Sequence, residues 1–423
     1  MPAVELRAAV EAGDLDPQLP VRAHLERIGR LDRRIGAYVH VDTGASAGRG
    51  PLAGVTVAVK DTYPVAGMPW TYGSPRWRDR VAEEDAIPVA RLRAAGAAVL
   101  GKTNLPELAA AIGTSNELFP PTQNPWRHGF SPGGSSGGSG AAVAAGLCSI
   151  ALGDDMGGSI RIPAACCGVP GLRPSPGVLP DENPDPTGLS VRGPLARTVA
   201  ALRLALRTVA SRMSLARSSH APQTLRVAVL GETPLGVDPA SRAACEVAAE
   251  ALRDAGHRLS LTPWDPLPVA RSYQVVRPAS VSTMPGEPEE YGAAAGRLIS
   301  RGREISARDF LSALSAGRAA VRPLLDLLED HDAILTPTLG RPAMPIPEVP
   351  AFLSEEWLGY TQFVLPVSYA GLPAVSVPAG LHQGLPLGVQ LVGRPGGEEA
   401  LLDLTEQLEA MPGFGFQRPP GLE

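Results

Sequence analysis

The feature that most constrains this chain is the stretch from Gly133 to Arg161, which reads GGSSGGSGAAVAAGLCSIALGDDMGGSIR. Two of its serines, Ser135 and Ser159, each follow a pair of glycines, which frees the backbone to bend and approach a ligand closely. Small apolar residues from Ala141 to Gly153 predict a buried helix followed by a strand. Both serine loops would then be held on rigid elements of one core.

Composition is that of an ordinary globular protein. The 423 residues are 44% hydrophobic and 19% charged, with a net charge of −5 at pH 7. Proteins that bind nucleic acids or anionic membranes usually carry a surplus of basic residues. This chain has no such surplus, so neither is expected as a direct partner. Residues 1–16 lack the basic start and apolar core of a secretory signal, and the apolar run within 141–153 is too short to span a bilayer. We therefore expect a cytoplasmic protein.

The cysteines and histidines do not predict a metal site. The four cysteines show no metal-ligand spacing, and three of them lie in apolar or Ala-rich surroundings that are typical of reduced, buried thiols. The seven histidines include no i, i+4 pair with an intervening glutamate. We expect neither a metal nor another cofactor.

Hydrophobic periodicity predicts an α/β fold. Helical spacing over 4–12 and 21–33 indicates a helical hairpin within residues 1–40, and 168–188 is expected to be irregular. Helices are predicted at 85–95, 195–210 and 240–255 and through most of 264–330, and strands at 55–59, 98–100, 225–230, 258–261, 332–336, 374–377 and 388–392.

Because the predicted strands come from both halves of the chain, we expect one large domain over 1–423. It would have a central twisted mixed β-sheet flanked by helices on both faces. Residues 50–215 would form the catalytic core, 216–330 a partly inserted cap or substrate region, and 331–423 the C-terminal part of the core sheet. Prolines after 332–336 and 374–377 are expected to end ladder pairing there.

The segment from Gly96 to Thr103 fits the P-loop pattern G-x-x-x-x-G-K-T, which makes an ATP-binding protein one alternative from a different functional class. The context disfavours it, because a P-loop lies between a strand and a following helix. Here the predicted helix comes first and the supposed loop reads as an apolar strand. Pro106 can still begin a helix soon after the motif, so the alternative stays open.

The serines allow two kinds of hydrolytic site. Gly133–Gly137 satisfies the nucleophile-elbow pattern G-x-S-x-G, which needs a later histidine, but His257, His331 and His382 are in undistinguished settings. A serine–lysine site needs a neutral amine instead, because an ammonium cannot accept a proton. Lys60 ends a predicted buried strand, where burial lowers the lysine pKa from its usual ~10.4.

At this point the chain resembles the amidase signature family. The paired serine motifs, 24 residues apart, are highly specific for it, and the resemblance covers nearly the whole chain. The matching motifs are Gly54–Asp61 (GVTVAVKD), Gly101–Asn104, Gln123–Trp126, Pro132–Ser139, Asp155–Arg161, Gly168–Pro174, Gly193–Arg197, Thr336–Thr338 and Gly371–Pro378.

The resemblance implies the amidase signature fold and a role for each reactive group. Ser159 would be the nucleophile, Ser135 a bridging serine after a cis peptide bond, and Lys60 the general base. The substrate would be a small-molecule, non-peptide amide, which is hydrolysed through an acyl-enzyme. Backbone N–H groups would form the oxyanion hole, here those of Met156, Gly157, Gly158 and Ser159.

Supporting residues have structural interpretations at least as good as catalytic ones. Asp155 and Arg161 are expected to form an ion pair that shapes the turn. Side chains expected to satisfy the loops by hydrogen bonding are Ser136, Ser139, Asn104 and Asn124.

The resemblance also leaves an alternative within the family. The A subunits of tRNA-dependent amidotransferases are similar in the core, but they carry an aspartate ten residues before the glycine that matches Gly371. That position is Thr361 here, so glutamine would lack a partner for its ammonium group. We prefer a stand-alone amidase of unassigned substrate, with the glutamine-hydrolysing A subunit of an amidotransferase as the alternative. The oligomeric state stays open, a homodimer being one option.

Overall fold

The computed structural model describes residues 1–211 and 224–422 and contains one mixed sheet of 11 strands. In sheet order the strands are β1 (Tyr38–Val41), β3 (Ala98–Thr103), β2 (Thr56–Lys60), β4 (Ile150–Asp155), β6 (Val191–Ala196), β5 (Gly171–Arg173), β10 (Ala374–His382), β11 (Leu385–Val392), β9 (Ala333–Pro337), β7 (Arg226–Val229) and β8 (Arg258–Leu261). Neighbours are parallel within β3–β2–β4 and β9–β7–β8 and antiparallel elsewhere. The predicted single mixed sheet is confirmed.

Helices cover both faces of this sheet, as predicted. They are α1 (Ala3–Glu11), α2 (Gln18–Ile35), α3 (Ile87–Ala94), α4 (Gly137–Ala144), α5 (Arg161–Cys167), α6 (Val199–Val209), α7 (Pro239–Asp254), α8 (Leu267–Val281), α9 (Ala293–Arg303), α10 (Ala307–Ala320), α11 (Arg322–Asp330), α12 (Glu355–Thr361), α13 (Leu365–Tyr369) and α14 (Glu398–Glu409). No helix in the described parts of the chain has both the length and the apolar character that crossing a bilayer requires.

The sheet divides the core into two layers, and alternate side chains of its central strands point into one layer or the other. Val57 and Val59 of β2 join a cluster with α3, α6, α7 and α14, whereas Ala58 joins a cluster with α2, α4 and α5. Successive side chains of a strand point to opposite faces, so a strand buried on both faces reads as a continuous apolar run. This is why β2 was recognisable from its sequence.

Small residues let α4 pack closely against the strands. A side-chain carbon at Gly138 would lie 2.5 Å from the backbone nitrogen of Asn104 and 2.6 Å from the Ala37 carbonyl oxygen. Any larger residue would push the helix start away from β3. The absence of a side chain at Gly138 therefore lets the loop that carries Ser135 pack directly against the sheet.

Three strand predictions need correction. The segment 168–188 contains β5, and the predicted helix 195–210 begins only at Val199, because residues 191–196 form β6. Both strands are buried in mid-sheet, where cross-strand pairing overrides the weak strand propensity of VRGPLA. Strand β10 also continues past Pro378 to His382, with a register irregularity between Pro378 and Leu381. Such an irregularity accommodates a residue that has no N–H to donate.

The segment that we assigned to a partial cap contributes in two ways. Residues 226–261 add β7, α7 and β8 to one end of the sheet. Helices α8 and α10 instead share a hydrophobic cluster with α5, α12 and α13. The division into core, cap and C-terminal part stays a prediction, but α8 lies over the element that follows Ser159.

We predict that Gly101→Ala lowers the free energy of unfolding by about 2–4 kcal/mol, since the new methyl group is both strained and overpacked. Gly101 has φ +148°, and a side-chain carbon there would lie 2.1 Å from the His40 carbonyl oxygen. Gly13→Ala is the matched control, because Gly13 has φ +81° but no neighbouring atom within 4 Å. Urea-induced unfolding followed by circular dichroism compares the two variants, and equal losses would contradict the close approach at Gly101.

Candidate active site

Parallel strands bring the lysine and the serine loops to one end of the sheet. Lys60 is the last residue of β2, and its neighbour Val59 pairs with Leu152 of β4, so the chain leaving β4 passes beside the lysine. Ser159 lies between β4 and α5, and Ser135 precedes α4. The carboxyl ends of parallel strands are where α/β proteins bind ligands.

The Lys60 amine and the Ser135 hydroxyl are in direct contact. Lys60 Nζ lies 2.7 Å from Ser135 Oγ, and both side chains are fully buried. The Gly134–Ser135 peptide bond is cis. The Ser136 N–H donates to the Ser159 carbonyl at 3.1 Å, which joins the two serine loops. Ser159 itself is half-buried.

The loop from Met156 to Ser159 uses one of its four predicted oxyanion donors internally. The Gly158 N–H donates to Asp155 Oδ1 at 2.9 Å. Because a carboxylate already accepts that hydrogen, we leave Gly158 out of the oxyanion hole proposed below. The N–H groups of Gly157 and Ser159 have no acceptor among residues 1–211 and 224–422. Together with Met156, they keep the predicted role.

Asp155 and Arg161 form the predicted ion pair. Arg161 Nε and Nη2 donate to the two carboxylate oxygens at 2.9 and 2.8 Å, and both side chains are fully buried. Arg173 contributes a second guanidinium at 3.3 Å. Burial would raise the pKa of the Asp155 carboxyl, but Arg161 and Arg173 hold it well below its usual range. The carboxylate therefore stays charged and fixes the turn.

The remaining supporting side chains have the structural roles that we expected. Each satisfies a backbone group or a neighbouring hydroxyl of the loops around the site: Ser136 Oγ to the Asp154 carbonyl at 3.3 Å, Ser139 Oγ to the Leu152 carbonyl at 3.0 Å, Asn104 Nδ2 to the Pro120 carbonyl at 3.0 Å, and Asn124 Nδ2 to the Ser131 carbonyl at 3.0 Å.

The structure adds Asp154, a residue that the sequence reasoning missed. Its Oδ1 lies 2.6 Å from Lys60 Nζ, and its Oδ2 accepts a hydrogen bond from the Thr62 hydroxyl. The lysine side chain is fully buried, whereas that of Asp154 is 19% exposed. The strand pairing was the available signal, since an acidic residue at the end of one parallel strand faces the end of its neighbour.

Two opposing effects act on the Lys60 pKa. Burial has the largest influence and lowers the pKa, because the ammonium loses hydration, while the Asp154 carboxylate stabilises the ammonium and raises it. The Arg277 charge lowers the pKa further, and the net direction is downward. Lys60 is thus shifted towards the neutral amine that a general base requires.

The second lysine of the chain has a different environment. Lys60 and Lys102 are the only two lysines in the sequence. Lys102 Nζ lies 2.6 Å from Asp61 Oδ1 and donates to the Pro69 carbonyl at 2.7 Å, with both members of the ion pair fully buried. Because 98–103 is the buried strand β3, Lys102 cannot reach a phosphate, and the P-loop interpretation is wrong.

Among the described residues, no histidine hydrogen-bonds to Ser135, as the nucleophile-elbow alternative requires. Ser135 contacts a lysine, whereas His257 interacts with Gln407 and His331 with Ser260. Within the described residues, no group of three or more histidine, cysteine, aspartate or glutamate side chains is placed to hold a metal ion.

Comparison with known proteins gives one consistent family. The sequence model of the Amidase family matches residues 21–402. The chain is 34% identical to the A subunit of glutamyl-tRNA(Gln) amidotransferase from Thermus thermophilus, with 95% of each sequence covered. It is 31% identical to indoleacetamide hydrolase of Bradyrhizobium diazoefficiens, covering 96% of this chain and 86% of that protein. The structure of 6-aminohexanoate cyclic dimer hydrolase complexed with substrate superposes with a TM-score of 0.93 at 28% identity, covering 100% of this chain and 99% of that one.

We predict that Asp154→Asn lowers the pKa of Lys60 further, because the variant removes the charge that stabilises the ammonium. With only two lysines in the chain, nuclear magnetic resonance of lysine-labelled protein follows each amine directly during a pH titration. The Lys102 resonance is the internal control, since that amine pairs with Asp61. An unchanged or raised Lys60 pKa would show that the Asp154 contact is not an ion pair in solution.

We predict that Asp155→Asn lowers the free energy of unfolding by about 3–5 kcal/mol, because Arg161 and Arg173 are left buried without a carboxylate. Urea-induced unfolding measures the loss. Asp326→Asn is the control, since it breaks an exposed pair with Arg322 and should change stability little. Similar effects of both substitutions would refute a special role for the Asp155 network.

Proposed function

This chain belongs to the amidase family, whose members hydrolyse carbon–nitrogen bonds of amides, and we propose that it cleaves small carboxylic amides through an acyl-enzyme on Ser159. The observation that carries the proposal is the 2.7 Å contact between Lys60 Nζ and Ser135 Oγ, fully buried beside the half-buried Ser159. An amine that contacts a hydroxyl in a desolvated site is suited to remove a proton through that hydroxyl.

The proposed reaction begins when Ser159 Oγ attacks the amide carbonyl. The Ser159 proton passes to Ser135, whose own proton passes to the neutral Lys60 amine. The negative charge that develops on the carbonyl oxygen is stabilised by the backbone N–H groups of Met156, Gly157 and Ser159, at about 3 kcal/mol for each well-placed donor.

The second half of the reaction uses the same relay in reverse. The Lys60 ammonium returns its proton through Ser135 to the leaving nitrogen, so ammonia or an amine departs and the acyl group stays on Ser159. A water molecule then gives a proton to the relay and attacks the ester. The carboxylic acid leaves, and Ser159 recovers its proton.

The environment of Thr361 favours a stand-alone amidase over a glutamine-hydrolysing subunit. Thr361 is fully buried in α12, and its hydroxyl donates to the Trp357 carbonyl at 3.0 Å. A threonine held in this way offers no carboxylate to the ammonium of glutamine. Glutaminase activity that appears only with a co-purifying partner would support the amidotransferase alternative instead.

We predict that Ser159→Ala, Ser135→Ala and Lys60→Met each reduce amide hydrolysis by at least about 10³-fold, because each removes one member of the relay. Ammonia or amine release from a panel of amides is the measurement, and hydroxylamine added to the wild type should yield hydroxamate from the acyl-enzyme. Ser300→Ala changes an exposed serine on α9 and serves as the control. Full activity of Ser159→Ala in a correctly folded protein would exclude the proposal.

The pH dependence should follow the protonation of Lys60. We expect kcat/KM to rise with pH along an acidic limb whose apparent pKa lies below the usual lysine value of ~10.4, because burial favours the neutral amine. Initial rates between acidic and alkaline pH measure this limb. A rate that falls with rising pH over this range would contradict a lysine base.

A further inference from the structure

A second cationic side chain stands beside the candidate active site, on α8. Tyr273 and Arg277 are one helical turn apart on α8 and both reach the loop that carries Ser159. A side-chain carbon at Gly157 would lie 3.0 Å from the Tyr273 hydroxyl. Arg277 Nη1 lies 3.3 Å from Met156 Sδ. Helix α8 thus presents an aromatic ring and a guanidinium to the predicted oxyanion loop.

The guanidinium is positioned without a carboxylate. Arg277 Nη2 donates to the carbonyl groups of Leu108 and Ala109 at 2.9 and 3.3 Å. Within residues 1–211 and 224–422, no carboxylate oxygen lies within 4.0 Å of Arg277. Asp185 also faces α8, but it accepts hydrogen bonds from Ser280 and from backbone N–H groups of its own loop. The positive charge of Arg277 is therefore not neutralised by an ion pair.

Arg277 differs from the other cations of the site because it lacks an ion-pair partner. Arg161 and Arg173 share the Asp155 carboxylate and Lys60 pairs with Asp154, whereas no carboxylate of the described residues pairs with Arg277. A partly desolvated cation without a counter-charge attracts anions strongly, because little water screens the field. Arg277 is the one guanidinium of these three that is half-buried rather than fully buried.

Building on the proposed function, we infer that Arg277 binds a carboxylate of the substrate, so that the preferred substrates are amides which also carry a carboxylate group. A guanidinium binds carboxylates by paired, charge-assisted hydrogen bonds. Tyr273 is buried and its ring stacks on Trp357 with centroids 5.6 Å apart, so it fixes α8 beside the loop. A neutral amide would lack the charged contact with Arg277.

The test uses two matched pairs of substrates. In the acyl-side pair, the monoamide of a short dicarboxylic acid is compared with the neutral fatty amide of equal length. In the amine-side pair, an N-acylglycine is compared with the N-acylethylamine. We expect the wild type to prefer the anionic member of at least one pair by about 10- to 100-fold in kcat/KM, the scale of a hydrogen bond to a charged group. The pair that shows the preference identifies the part of the substrate that carries the carboxylate.

Substitutions on α8 then test whether Arg277 causes the preference for the anionic substrate. Rates are compared on the alkaline plateau, where the loss of the Arg277 charge no longer changes the protonation of Lys60. There, Arg277→Gln should raise KM for the anionic substrate and remove most of the preference, while the neutral substrate changes by no more than about threefold. Arg277→Lys, which keeps the charge, should recover part of it. Arg271→Gln is the control, since Arg271 is exposed on the same helix, and it should leave both substrates unaffected.

Two results would overturn the inference. One is a wild type without preference for anionic amides, and the other is an equal loss for both members of a pair in Arg277→Gln, which would mean that Arg277 only holds the turn at Leu108 and Ala109. Either result leaves the acyl-enzyme proposal intact as long as hydrolysis still depends on Ser159. Hydrolysis that survives Ser159→Ala would instead remove the proposed function itself.

Discussion

The carboxylate of Asp155 is the interaction on which the candidate site depends. It accepts hydrogen bonds from Arg161, from Arg173 and from the N–H groups of Gly158 and Ile160. Ser159 therefore lies between two residues that are bound to one fixed charge. Arg161 extends the network to the second half of the chain, because it also donates to Gln390 of β11 and Ser368 of α13. The geometry of the Ser159 loop is thus coupled to the packing of both halves.

The two lysines show how environment separates the proposed base from a structural cation. Lys102 pairs with a carboxylate as deeply buried as itself, so its charge is neutralised where water does not enter. Lys60 also has a carboxylate partner, but Asp154 is partly solvated and the amine additionally contacts the Ser135 hydroxyl. The protonated Lys60 therefore has a counter-charge, and the Ser135 hydroxyl is placed to accept its proton. The same residue type at a similar depth thereby acquires a different chemistry.

The elements around the reactive groups were predictable because each carries a local signal. An apolar β-branched run predicted β2, and small residues between the glycine loops predicted α4 and β4. Strands β5 and β6 carry no such signal, since Arg173, Arg192 and Pro194 interrupt the pattern and burial in mid-sheet decides their state. The P-loop match at Gly96–Thr103 shows that a local pattern can also mislead. The segment fits the motif at every position, but most of it forms the buried strand β3.

The sequence alone determined the residues on which the proposed chemistry rests, namely a lysine at a buried strand end and two serines in flexible glycine loops. Tertiary structure decided what surrounds those groups. Asp154 is 94 residues from Lys60, and Arg277 is 121 residues from Met156. These contacts follow from strand register and from the packing of α8 over the Ser159 loop. Such long-range geometry depends on the balance of the whole core, which no local spacing of residues encodes.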